Sequence, residues 1–226
     1  MNADFVDLLA GNVSHAAAFR TRFDDLQTSQ HPDVVSVCCS DSRVLQDHIW
    51  GNDEPGRVFT CGNIGNRVVQ PTDSGPVVSG DVLYPVEHTG TEIVVVVGHT
   101  GCGAVTATYD ALTNGLSEPA GIEHCLDILK PHLEPGIEAL PSDLSRAQAI
   151  NRLVEYNVDR QVDCLRDSPD IPARVDVIGA VYDFQDVYSG QRGEIHVINV
   201  DGERSVSQLR RAHPEIESRI ERIWEY

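Results

Sequence analysis

Hydrophobic and polar positions alternate between two periods along this chain. Five consecutive aliphatic residues, Ile93 to Val97, predict a strand buried on both faces. Val34–Val37 is a second aliphatic run, Arg57–Thr60 a shorter one, and Val175–Val181 a fourth. Glu194–Val200 predicts a further strand, antiparallel to its neighbour because Asp183–Gly193 reads as a turn-rich connection. Between these runs the period lengthens. Phe5, Leu8, Leu9, Val13, Ala16, Phe19 and Phe23 recur at steps of mostly three and four, which predicts an amphipathic helix within residues 2–28, broken at Gln30-His31-Pro32. Helical spacing returns at Val44–Trp50, Val77–Thr89, Ala104–Ala111, Glu123–Leu129, Leu144–Leu165 (with Ser142-Asp143 as its N-cap) and Val206–Ile223. Pro71–Pro76 and Pro131–Pro141 read as irregular, because each is rich in proline.

Strands that alternate with helices predict an α/β fold. The expected architecture is a mostly parallel central sheet with one antiparallel edge strand, flanked by helices. The length of 226 residues and the absence of a repeat or linker predict one domain, 1–226, with 1–28 as an N-terminal helical arm.

Charge narrows the classes of partner. The net charge is -18, with 35 acidic residues against 17 basic ones, and Lys130 is the sole lysine. Such a chain is expected to bind neither nucleic acid nor an anionic membrane. The acidic surface with almost no lysine points to a halophilic source, since molar salt shortens the Debye length to about 3 Å and screens self-repulsion. No apolar run approaches the ~18 residues of a membrane helix, and the acidic N-terminus lacks a signal pattern, so a cytoplasmic protein is expected. The cysteines (38, 39, 61, 102, 125 and 164) have no disulfide-scaffold spacing, and metal binding or burial is the expected use.

Two strand ends carry the chemistry. After Ile93–Val97 come Gly98-His99-Thr100-Gly101-Cys102-Gly103, a strand-to-helix turn with a His and a Cys three apart. After Val34–Val37 come Cys38-Cys39-Ser40-Asp41-Ser42-Arg43. If the two strands are neighbours in a parallel sheet, both turns lie at its carboxyl edge, where open α/β sheets bind ligands. A cysteine of the first turn then joins His99 and Cys102 around a point. Cys2His with an open fourth position is the pattern of catalytic zinc. Asp41 and Arg43, two apart in an extended turn, can point the same way and pair. The Gly62–Asn66 stretch predicts a constrained loop with positive φ that walls the pocket, with Ile64, Val68 and Val69 as its apolar side chains.

Other chemistries fit less. Gly101-x-Gly103-x-x-Thr106 lacks the third glycine of a dinucleotide fingerprint. Arg43 lies four residues past Cys39 and five past Cys38, the wrong spacing for a cysteine phosphatase. A zinc-stabilised binding module would close its metal with four protein ligands.

Cys39-Ser-Asp-Ser-Arg43, followed by His99-Thr-Gly-Cys102-Gly, resembles the β-class carbonic anhydrases, and the likeness continues through Asn63-Ile-Gly-Asn66 to about Val200. The resemblance implies one zinc ion per chain on Cys39, His99 and Cys102. It implies an Asp41–Arg43 catalytic pair and a backbone N–H of Gly103 near the substrate. It implies reversible hydration of carbon dioxide to bicarbonate and a proton by zinc-bound hydroxide, in a homodimer or higher homo-oligomer with the N-terminal helix wrapped over its partner. Cys38 is expected on the opposite face of its strand. Gly62 and Ser36 replace an arginine and a tryptophan tied to a non-catalytic bicarbonate pocket in one subtype, so that regulation is not expected here.

Overall fold

The computed structural model describes residues 2–226. These form a central five-stranded sheet and a separate hairpin. In chain order the strands are β1 (Val34–Cys39), β2 (Val58–Asn63), β3 (Val69–Thr72), β4 (Gly75–Val78), β5 (Ile93–His99), β6 (Asp176–Asp183) and β7 (Glu194–Val200). The sheet runs β2-β1-β5-β6-β7. Its first four members are parallel and β7 pairs antiparallel with β6, the predicted arrangement. The helices are α1 (Ala3–Phe19), α2 (Gly80–His88), α3 (Gly103–Asn114), α4 (Ala120–Ala139), α5 (Arg146–Arg166) and α6 (Val206–Ala212). Among the described residues no helix is long and apolar enough to cross a membrane.

Strand alternation sorts side chains to the two faces of the sheet. Val35, Val37 and Cys39 of β1 join Val94 and Val96 of β5 in the main core, beneath Leu129, Leu133, Val154 and Val158 of α4 and α5. Cys38, Val95, Val97 and Ala180 form a smaller cluster on the other face. Cys38 and Cys39 therefore point to opposite sides, as expected. The β1–β5 register pairs Val37 with Val96 and Cys38 with Val97, which ends both strands at one edge.

α5 lies directly on β5 and β6 because two strand residues have no side chain. A Cβ on Gly98 would sit 2.7 Å from Val158 Cγ2, and one on Gly179 would sit 2.8 Å from Val158 Cγ1. Both clashes are closer than real carbons approach, so the bare backbone sets the helix-to-sheet distance.

Several expected elements differ. α1 stops at Phe19, short of residue 28, and none of its residues is buried, so its apolar stripe faces outward; Met1 of the expected arm lies outside the described residues. The expected helix at 44–50 reduces to a 3-10 turn, His48–Trp50. The breaker cluster at Pro71–Pro76 is the β3–β4 hairpin, whose prolines pair across from each other. Proline is tolerated there because two strands outside the main sheet ask for few ladder donors. α4 runs through Pro131 and Pro135 where irregular chain was expected. Burial of Leu126, Leu129, Leu133 and Gly136 on one stripe outweighs the cost of about 3 kcal/mol per interior proline. α5 is capped by Ser145 in a capping box with Gln148, two residues past the expected cap. α6 ends at Ala212, and Pro214 opens a 3-10 segment where a continuous helix to 223 was expected.

Candidate metal centre

Three residues converge at the carboxyl edge of the sheet. Cys39 ends β1, His99 ends β5, and Cys102 precedes α3. All three are buried, and their donor atoms lie within 4.8 Å of one another. The two sulfurs are 3.9 Å apart.

Each donor is prepared by the chain around it. His99 Nδ1 lies 3.0 Å from the carbonyl of Thr100. A carbonyl only accepts, so Nδ1 carries the proton and Nε2 presents a lone pair. That Nε2 is buried and has no hydrogen-bond partner among the described residues. A buried nitrogen without a partner costs about 1–3 kcal/mol. Cys102 Sγ receives the backbone N–H groups of Ala104 and Val105, and Cys39 Sγ receives that of Gly65. The Cys102 thiol donates to Cys39 and pulls its pKa down to about 4, while the same contact and burial push Cys102 well up. Sharing one proton makes the first ionisation of the pair easier and the second harder.

This donor set fits zinc. Two thiols and an imidazole lone pair are borderline-soft ligands, and the three donors lie close together with His99 Nε2 left without a partner. Three protein ligands leave a fourth tetrahedral position for another molecule.

Asp41 and Arg43 lie beside the cluster. Arg43 Nε donates to Asp41 Oδ1 at 2.8 Å and Nη2 donates to Oδ2 at 2.6 Å. The Arg43 backbone N–H adds a third bond at 3.0 Å. The fork holds the Asp41 carboxyl well below the usual carboxylate range. Asp41 Oδ2 is 3.7 Å from His99 Nε2, so the ionised oxygen borders the ligand set.

The turns are fixed from behind. Gly101, at φ +61°, donates its N–H to Asn151 Oδ1 of α5 at 2.8 Å. A side chain there would meet Gln185 as well as a strained backbone. Asn157 of α5 donates to the Gly65 carbonyl at 3.1 Å, and Gly65 and Asn66 take the positive φ expected of that loop. Thr100 Oγ1 donates to the buried Asp183 carboxylate at 3.2 Å.

A cavity of about 280 Å³ opens next to the cluster. Cys39, Ser40, Asp41 and Gly103 give it a polar side, and Ile64, Ala104, Ala107, Ile122 and Leu126 give it an apolar one. Ile64 walls the cavity as the sequence predicted, and Gly103 lines it too. Val68 and Val69 do not; they are buried in the core, because the chain turns inward after Asn66 to begin β3. Sequence reasoning missed Ala107, Ile122 and Leu126. The four-residue step from Ile122 to Leu126 was visible, but nothing told which neighbour that helix face covers.

Comparisons with known proteins agree with this geometry. The carbonic anhydrase family model matches residues 34–191. A carbonic anhydrase of Pseudomonas aeruginosa is 31% identical over 202 residues, covering 86% of this chain and 84% of its own. The crystal structure of a β-carbonic anhydrase of Aspergillus fumigatus matches 97% of this chain and 100% of its own at 28% identity, with a TM-score of 0.71. A tetrameric β-carbonic anhydrase of Sordaria macrospora matches at 25% identity and a TM-score of 0.72, covering 88% of this chain and 98% of its own. With the family model spanning most of the chain, and a fold whose sheet edge gathers two cysteines and a histidine, this chain belongs to the β-class carbonic anhydrases.

Proposed function

We propose that this chain catalyses the reversible hydration of carbon dioxide to bicarbonate and a proton, with one zinc ion held by Cys39, His99 and Cys102. The observation that carries the reading is the orphaned His99 Nε2 facing two sulfurs, with an ionised Asp41 at its side. Bound there, zinc supplies Lewis acidity that brings the ionisation of water into the neutral range.

The chain's own groups do the rest. Asp41, kept ionised by Arg43, can only accept a hydrogen bond. A nucleophile beside it must therefore turn its O–H toward Asp41 and its lone pair toward the cavity. Carbon dioxide offers little binding energy, so placement of the nucleophile carries the catalysis. Ile64, Ala107, Ile122 and Leu126 form an apolar wall that suits a small apolar substrate. Gly103, first residue of α3, has a backbone N–H with no helical partner and donates it to a substrate oxygen. Metal analysis coupled to stopped-flow hydration is the test. One zinc per chain is expected, with activity lost on chelation and restored by zinc. Absence of hydration by the zinc-replete chain in molar salt would sink the reading.

We further read residues 1–226 as one domain whose N-terminal arm packs against a second copy. Phe5, Val6, Leu8, Leu9 and Val13 of α1 are all exposed in the isolated chain, and a relative of the same fold is tetrameric. The acidic surface supports a protein adapted to concentrated salt, and the free cysteines suit a reducing cytoplasm. Stability and assembly are expected to weaken as salt falls from molar to dilute, which circular dichroism and sedimentation would measure; unchanged mass and stability in dilute buffer would reject the adaptation. A bicarbonate-inhibited regulation is not proposed: Trp50 donates to Ser36 Oγ at 3.4 Å, and the Gln46 side chain crowds Gly62.

A further inference from the structure

Phe184 follows β6 and takes no part in the motifs that define the site. Its ring meets two of the site's residues. It stacks near-parallel to the His99 imidazole, with centroids 5.7 Å apart and planes at 25°. The Arg43 guanidinium lies over the same ring, 4.5 Å from its centroid.

The ring's place is built by its backbone. Phe184 donates its N–H to Thr100 Oγ1 at 3.2 Å, directly beside His99. The preceding residue, Asp183, is buried and accepts from Thr100 Oγ1 and from the N–H groups of Gln185, Val187 and Tyr188. The turn that bears the ring is therefore tied to the turn that bears the ligand.

Arg43 needs such a support. Its side chain is 50% exposed, and its hydrogen bonds to Asp41 and to the Gly101 carbonyl all lie in the guanidinium plane. In-plane bonds leave the flat faces free to tilt. A π-face against one of them restrains the tilt and adds a cation–π attraction.

We infer that Phe184 is a positioning residue for hydration: its ring face fixes the Arg43 guanidinium and, through it, the orientation of Asp41. The inference rests on the proposed role of the Asp41–Arg43 pair. It predicts that the ring face matters, beyond apolar volume.

Phe184→Leu keeps an apolar side chain without a π-face, and Phe184→Tyr keeps the face. In zinc-loaded protein, Phe184→Leu is expected to retain metal and melting temperature, to lose about tenfold in kcat, and to leave KM within about twofold. Phe184→Tyr is expected to restore kcat. Phe184→Met serves in place of leucine if that variant does not fold. The second readout is the ¹⁵N–¹H resonance of Arg43 Nε, identified by its loss in Arg43→Lys. Ring current shifts it in wild type and Phe184→Tyr, and that shift should vanish in Phe184→Leu. An unmoved resonance, an unchanged kcat in Phe184→Leu, or an equal loss in Phe184→Tyr would overturn the inference. Asp41→Ala is measured alongside: wild-type turnover there withdraws the pair's role and this inference with it. Impaired Asp41→Ala with unaffected Phe184→Leu overturns the inference alone.

Discussion

Two buried polar regions border α5, and they treat their hydrogen bonds differently. At the sheet edge, His99 Nε2 is buried without a partner and two sulfurs face each other across 3.9 Å. On α5 itself, Glu155 and Asp159 are both fully buried, and each carboxylate is held by several donors. Glu155 accepts from Tyr188 Oη and from the backbone of Ile223 and Trp224. Asp159 accepts from Arg222, Asn199 and Tyr226. A polar cluster that satisfies itself holds structure together, here by strapping the C-terminal segment to α5. A cluster that leaves a donor set incomplete is made for something that arrives from outside.

The largest expected effect tests the incomplete side. Cys39→Ser or Cys102→Ser should abolish zinc binding, whereas Cys38→Ser should leave one zinc per chain, because Cys38 faces the opposite cluster. Metal content by mass spectrometry decides; loss in Cys38→Ser with retention in Cys39→Ser would reverse the assignment. On the satisfied side, Asp159→Ala should destabilise the fold by about 3–5 kcal/mol, since it strands the buried Arg222 guanidinium. Zinc stoichiometry should not change. Chemical denaturation gives the first number and metal analysis the second, and joint loss of both would erase the distinction between the regions.

Asp41→Ala should keep zinc and lower hydration roughly 10- to 1000-fold, the scale of a positioning group. Arg43→Ala should resemble it. Stopped-flow rates near wild type in both would reduce the pair to a structural turn.

The smallest effect concerns pH. Burial pushes the Glu155 carboxyl up to about 7, against the opposing pull of Arg222 and its hydrogen-bond donors. A raised folded-state pKa means that the protonated group favours folding. Its contribution is complete below about 4.5, the ordinary value, and is lost as pH rises through about 7. Glu155→Gln should therefore remove about 2–3 kcal/mol of pH dependence between pH 5 and 8. Parallel stability curves for the two proteins across that range would refute the shift.

The sequence showed the incomplete region far better than the satisfied one. Cys39 and His99 occupy strand ends and Cys102 lies three residues beyond one, and strand ends are legible because aliphatic runs stop abruptly at them. The parallel sense of the sheet followed from alternation with helices, whereas the adjacency of β1 and β5 was known only from the structure. Glu155 and Asp159 were invisible for a physical reason: a carboxylate four residues from another on a helix reads as a solvated face. What buries them is a tail about sixty residues later, and no local pattern announces that contact. α4 was misjudged through Pro131 and Pro135 for the same reason, since the leucines that hold it straight act only once packed. Leu126 was legible as helix and illegible as pocket, and Ile122 lay just outside the expected helix.

The cavity's walls also differ in how freely they could be rebuilt. Its floor, at Cys39, Ala104 and Leu126, lies buried. Its rim does not: Ile64 and Ile122 are 42% and 45% exposed. A protein engineer seeking to admit a bulkier carbonyl compound, or to exclude a bulky inhibitor, has those two rim positions to vary. Changes to the floor would disturb Cys39 and the core packed around it before they changed selectivity.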